Sequence, residues 1–302
     1  MEHVVEFPGL GVRFTLNRVA FNLFGKDIYW YGIIICAGFI LAAWYLSRHA
    51  KDYGFTQDNV FDAVLLGVPL GIICARIYYV AFSWDSYKDN LSEIFKIWHG
   101  GIAIYGGVIG AVLSVIIYGK WKHLSIPDMG DLAARGLLIG QCIGRWGNFV
   151  NAEAHGGPTD LPWRMVIDGA QGVHPTFFYE SAWNFIGFFV LHFWAKKRRF
   201  SGEIFLGYLA WYGFGRMCIE GMRTDSLYIG STGLRVSQLL AAVTFLIALA
   251  LIVRGRRAHP VFAVPVTVAV PQESGETVAA TSAAQPENTT PTTHNDNEEE
   301  HT

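Results

Sequence analysis

Two apolar runs, residues 28–46 and 236–253, contain no charged side chain, and each is long enough to cross the hydrocarbon core of a bilayer as a helix. A third run, residues 100–118, is also free of charge. Four further stretches have the length but carry ionisable groups: 60–82 (Asp62, Arg76), 127–149 (Asp128, Asp131, Arg135, Arg145), 176–194 (Glu180) and 204–220 (Arg216, Glu220). Together they predict an all-α, polytopic membrane protein with seven transmembrane helices. Composition agrees: 52% of residues are hydrophobic and only 16% are charged, against ~25% charged in average proteins. A soluble domain, a disordered chain and a nucleic-acid-binding protein are excluded on that ground.

Basic residues in short loops stay on the cytoplasmic side of a membrane. The segments after spans one, three, five and seven hold Arg48, Lys51, Lys120, Lys122, Lys196 to Arg199, Arg254, Arg256 and Arg257, whereas the bases of the opposite side are spread over longer stretches. The N-terminus is therefore expected outside and the C-terminus in the cytoplasm. Insertion is expected from internal segments, because Glu2, Glu6, Arg13, Arg18, Lys26 and Asp27 stand ahead of the first run where a signal peptide would be apolar. The chain divides into residues 1–257, the membrane domain, and residues 258–302. The latter hold seven acids and no Lys or Arg and are expected to be a disordered acidic cytoplasmic tail, dispensable for activity. Cys36, Cys74, Cys142 and Cys218 form no CxxC or Cys/His spacing and are expected to be packing residues. The pairs Gly67/Gly71, Gly106/Gly110 and Gly140/Gly144 have the small-xxx-small spacing that lets helix backbones approach.

An Arg or Asp near the bilayer centre costs about 2.5–3.5 kcal/mol on insertion scales, so those within spans need a reason. The topology places Arg145 at the end of span four, Glu180 at the start of span five, Arg216 and Glu220 at the end of span six and His99 just before span three, all towards the outer face. Spacings of 4, 4 and 3 set Tyr212, Arg216, Glu220 and Arg223 along one helical face. A plain Arg216–Glu220 ion pair would explain part of that stripe, but a second arginine leaves a cation over for an anion. The glycine-rich segment 144–158 offers Arg145, whose planar fork suits a phosphate, with Asn148 and Asn151 as neutral donors. Its plainer reading is a helix end anchored at the interface by Trp146 and Phe149. His99 could accept a proton near neutral pH, although a lone interfacial histidine is more often structural. Three classes fit these residues: an outer-leaflet lipid enzyme, a secondary transporter for an anionic solute, and a lipid-binding scaffold. No internal repeat of the transporter kind is present, and a scaffold does not explain why so many polar groups converge.

The same stretches, in order, resemble the prolipoprotein diacylglyceryl transferase family of bacterial inner membranes: Trp30-Tyr31-Gly32, His99-Gly100-Gly101, the run from Gly144 through Arg145, Asn148 and Asn151 to Glu153, His174-Pro175-Thr176-Phe177-Phe178-Tyr179-Glu180, and Tyr212 to Arg223. The match covers about residues 20–255, and the Arg-x-Gly-Asn-Phe-x-Asn-x-Glu run is its most specific part. The chain departs from some members at Val173, where others carry Arg, and at Phe177, where others carry Gln. The resemblance implies an enzyme that moves the diacylglyceryl group of phosphatidylglycerol to the thiol of a prolipoprotein lipobox cysteine, releasing glycerol 1-phosphate. It implies substrate-binding roles for Arg145, Asn148, Glu153 and Gly156, and catalytic roles for His99, Arg216, Tyr31, Tyr212 and Glu220. Membrane lipid and lipobox peptides are then the partners, and no cofactor or metal is called for. On this reading Arg145 and Arg216 clamp the phosphodiester, Glu153 and Glu220 orient the two arginines, His99 takes the thiol proton, and Tyr31 and Tyr212 position the thiol or the lipid.

Overall fold

A computed structural model describes residues 2–223 and 235–260 of the chain. Seven α-helices lie among them: α1 (Trp30–His49), α2 (Gln57–Phe82), α3 (Ile104–Trp121), α4 (Ile126–Val150), α5 (Thr176–Ala195), α6 (Glu203–Glu220) and α7 (Val236–Ala258). By length and composition α1, α2, α3 and α7 can each cross a membrane, which makes this a multi-pass membrane protein. Many of their apolar side chains point outward, among them Ile40, Leu65, Ile77 and Leu246. Outward apolar side chains on a protein of this composition are what lipid, rather than water, stabilises. The acidic tail lies outside the described residues from 261 onward.

α4 is the central element, packing on α1, α3, α5 and α6. Close backbone approach holds α2 against α3. A side chain at Gly110 would meet the α2 backbone at Leu70 O and Gly71 Cα, 2.6 and 2.7 Å away, as the small-residue spacing predicts. Gly140 differs, since nothing lies within 4 Å of its side-chain position. Two indoles lock α5 to α6: the Trp183 and Trp211 rings stack 4.3 Å apart, and each Nε1–H donates to the other residue's carbonyl at 3.0 Å. That lock fixes the register between Glu180 on α5 and Arg216 on α6.

The all-α expectation is corrected at the N-terminus and in the segment between α4 and α5. Strands β1 (Glu2–Phe7) and β2 (Val12–Asn17) form a hairpin, and β5 (Val166–Ile167) joins the other edge of β1, giving the order β2-β1-β5. A second hairpin of β3 (Val19–Leu23) and β4 (Lys26–Tyr29) leads directly into α1. The apolar face of the first sheet is buried: Val5, Met165, Phe149 and Phe177 form one core cluster, joined by Phe7, Leu16 and Ile167. The strands therefore roof the C-terminal end of α4 and the N-terminal end of α5.

At the far end of α4 a second polar cluster ties the bundle. Arg198 donates to Asp128 at 2.5 Å and to Asp131 at 3.0 Å, while Asp131 accepts the backbone N–H groups of Gly202 and Phe205 at 2.9 and 2.8 Å, capping α6. Arg135, 2% exposed, lies over the Tyr45 and Tyr53 rings at 5.4 and 5.2 Å. These ionisable residues of span four thus serve packing between elements.

Candidate functional site

Under the strand roof, three helix ends bring their charges to one point. Glu180, 5% exposed, opens α5 and receives three arginines. Arg145 of α4 contacts its Oε2, Arg216 of α6 reaches Oε1 at 3.4 Å, and Arg223 just beyond α6 reaches Oε1 at 3.3 Å. Arg216 Nη2 also lies 2.6 Å from Glu220 Oε2 as an ion pair across one helical turn, and Glu220 Oε1 accepts the Ser237 hydroxyl of α7 at 2.6 Å. Within this group three guanidinium groups face two carboxylates, so the formal charge is positive by one. The side chains of Arg145 and Arg216 stay about one-fifth exposed, whereas both glutamates are buried. Guanidinium forks braced by buried carboxylates and left partly exposed have the chemistry to receive an anion, and this cluster is called the seat below.

Beside the seat, α4 ends in a strained loop. Ala152 and Ala154 both hold positive φ, 51° and 56°, a conformation that costs of order 1 kcal/mol or more for a residue with a Cβ. Between them Glu153 turns back, and its Oε1 accepts from Asn148 Nδ2 at 3.1 Å and Asn151 Nδ2 at 3.2 Å. This differs from the expectation that Glu153 orients Arg145. The carboxylate on Arg145 is Glu180, because α5 brings it to the end of α4, while Glu153 is drawn onto the two asparagines of its own loop. Glu220 does lie against Arg216, as the i, i+4 spacing requires.

Gly156 closes the seam between this loop and the end of α6. Its N–H donates to His174 O at 2.9 Å and the N–H of Gly157 donates to Met222 O at 2.8 Å. A Cβ at Gly156 would stand 2.7 Å from His174 Cβ and 2.9 Å from Met222 O. Val173 pairs its backbone with Met165 in the same seam, and Phe177 stacks on Phe149 at 4.7 Å, so both departures from the family pattern are apolar packing residues.

The structure gives the remaining expected residues other surroundings. The Tyr31 ring covers Gly147, where a side chain would approach its Cδ2 to 2.6 Å, and it lines an open groove of about 930 Å³ beside α1 with Arg18, Asp27, Ile33, Cys36 and Asn151. Tyr212 stacks on Tyr208 at 5.8 Å within the α5–α6 core. His99 is exposed, on the segment between α2 and α3, with Glu93 as its hydrogen-bond partner. Sequence reasoning left Glu180 out of the first rank. Its signal was present: a lone carboxylate opening an apolar span on the same side as two arginines.

Comparison with known proteins gives a consistent picture. A family model described as prolipoprotein diacylglyceryl transferase matches residues 18–254. The phosphatidylglycerol–prolipoprotein diacylglyceryl transferase of Clostridioides difficile is 46% identical over 228 residues, which is 76% of this chain and 91% of that protein. Its namesakes in Enterococcus faecalis and Geobacillus kaustophilus are each 46% identical, over 80% and 78% of this chain and 91% of each relative.

Proposed function

Because the chain belongs to the prolipoprotein diacylglyceryl transferase family, we propose that it alkylates the lipobox cysteine of a prolipoprotein with the diacylglyceryl group of phosphatidylglycerol. The observation that carries this reading is the seat of Arg145, Arg216 and Arg223 around Glu180. The thiol loses its proton to a base, its sulfur bonds to the terminal glycerol carbon, and the carbon–oxygen bond to phosphate breaks. The electron pair leaves with glycerol 1-phosphate. Arg145 and Arg216 hold the phosphodiester and stabilise charge building on the leaving oxygen, with Asn148 adding a neutral hydrogen bond. His99 is the base for a thiol of ordinary pKa about 8.5, and Tyr31 and Tyr212 shape the space for the lipid and the peptide.

All seven helices then cross the bacterial inner membrane, with the N-terminus and the seat outside and α7 ending in the cytoplasm. α4, α5 and α6 tolerate their ionisable groups because opposite charges or, for Arg135, tyrosine rings meet them. The relatives are named as transferases, and the transporter reading is set aside. The test is glycerol phosphate release by the full chain in phosphatidylglycerol nanodiscs, with a lipobox peptide, without it, and with its cysteine changed to serine. Release should require the thiol. A folded sample that releases nothing, or releases equally with serine, rejects the proposal.

A further inference from the structure

Residues 83–103 join α2 to α3 through three short 3₁₀ turns, and a buried cation organises them. Arg76 of α2 is 6% exposed, and its guanidinium is directed at backbone carbonyls. Nε donates to Ile94 O at 2.8 Å, Nη2 to Glu93 O at 2.6 Å, and Nη1 to Gly100 O and Gly101 O at 2.6 and 2.7 Å. Gly101 holds φ +81°, and a Cβ there would stand 2.5 Å from Nη1, so the carbonyl turn is shaped around the cation. A buried guanidinium is tolerated only where its N–H groups find acceptors. The four acceptors bracket His99 in sequence, two ahead of it and two just after.

The same segment supplies a carboxylate to the ring. His99 Nδ1–H donates to Glu93 Oε2 at 2.9 Å, and Lys96 Nζ donates to Glu93 Oε1 at 2.6 Å. The Lys96 hydrogen bond first, and the His99 one second, hold the Glu93 carboxyl below the usual carboxylate range, so the acceptor is ionised at neutral pH. A carboxylate on Nδ1 fixes the tautomer that leaves the Nε2 lone pair free to accept a proton.

We propose that Glu93 and Arg76 are positioning residues for His99: Arg76 sets the backbone that presents the ring, and Glu93 sets the tautomer and rotation that aim Nε2 at the thiol. The inference rests on the reading of His99 as the base.

The test measures glycerol phosphate release by the full chain in phosphatidylglycerol nanodiscs with a lipobox peptide, comparing wild type, H99Q, E93Q and the E93Q/H99Q double variant. Glu93 is partly exposed, so E93Q does not threaten folding, whereas R76K serves as the second variant if it folds. E93Q should lower kcat roughly tenfold or more with KM for the lipid changed less than about twofold, and in the H99Q background it should add less than about twofold. R76K should follow the same pattern. A slow H99Q beside an E93Q of normal rate, or losses that multiply in the double variant, overturns the inference alone. An H99Q of full rate overturns the assignment of the base, and the positioning role with it.

Discussion

A lysine at position 145 keeps the charge of Arg145 but loses the fork that meets Glu180 and that the proposed function turns on a phosphate oxygen. Arg145→Lys is therefore expected to cut glycerol phosphate release by roughly a hundredfold, in line with losing one aligned donor to a developing charge. Retention of the wild-type rate would reject a bidentate role. Gly156→Ala acts differently, since its new methyl presses on His174 and Met222 O. Overpacking of this kind costs about 1–3 kcal/mol. Thermal unfolding should register that loss together with a fall in activity of more than about tenfold, because the seam carries Arg223 just beyond α6; unchanged melting and rate would count against it. At this scale the sequence was legible wherever chemistry follows helical spacing, as in Arg216–Glu220. It was not legible for Arg145–Glu180, a contact between two helices that no local spacing encodes.

α1, α3 and α7 were legible because 18 or more apolar residues in a row have few other uses, and each of the seven expected stretches holds a helix, although residues 28–29 belong to β4 and 100–103 precede α3. The strands escaped notice. They are short, they mix charged with apolar residues, and β1 finds its second partner at residues 166–167, a pairing absent from any local pattern. Asp168 secures that pairing by accepting the Val4 N–H at 2.7 Å and the His3 Nδ1–H at 2.7 Å, and the His3 bond, then the Val4 bond, lowers its carboxyl pKa. A carboxylate with a lowered folded pKa contributes above its unfolded value, about 3.9, and loses that contribution as pH falls through the folded one. Hydrogen-exchange protection at Val4 should decline below about pH 4, and Asp168→Asn should flatten that decline; a pH-independent protection in the wild type would refute the tie. At the other end of α4, Arg198→Ala would take the cation from Asp128 and Asp131, and removing one partner of a buried ion pair costs about 3–5 kcal/mol. Lower thermal stability with an unchanged lipid KM is the expected result, and equal stability would argue that the cluster contributes nothing net.

For the molecule as a whole, the four apolar helices surround or flank α4, α5 and α6, whose polar groups gather at the two ends of α4. One end holds elements together and the other is the end to which the proposed function assigns an anion. In that second cluster Glu180 fills, with a single negative charge, a place that three guanidinium groups could give to a phosphate. Under the proposed function it is the group that a phosphate has to displace. A lipid phosphodiester brings one charge to displace it, whereas the monoester that departs carries nearly two above its second pKa of about 6. Glycerol 1-phosphate should therefore inhibit competitively against phosphatidylglycerol, and more strongly as pH rises through about 6. Inhibition kinetics that stay flat across that interval would show that the seat does not discriminate by charge. If it does, the spent headgroup is the tighter guest, and the pace of the cycle is set by how readily water draws it away.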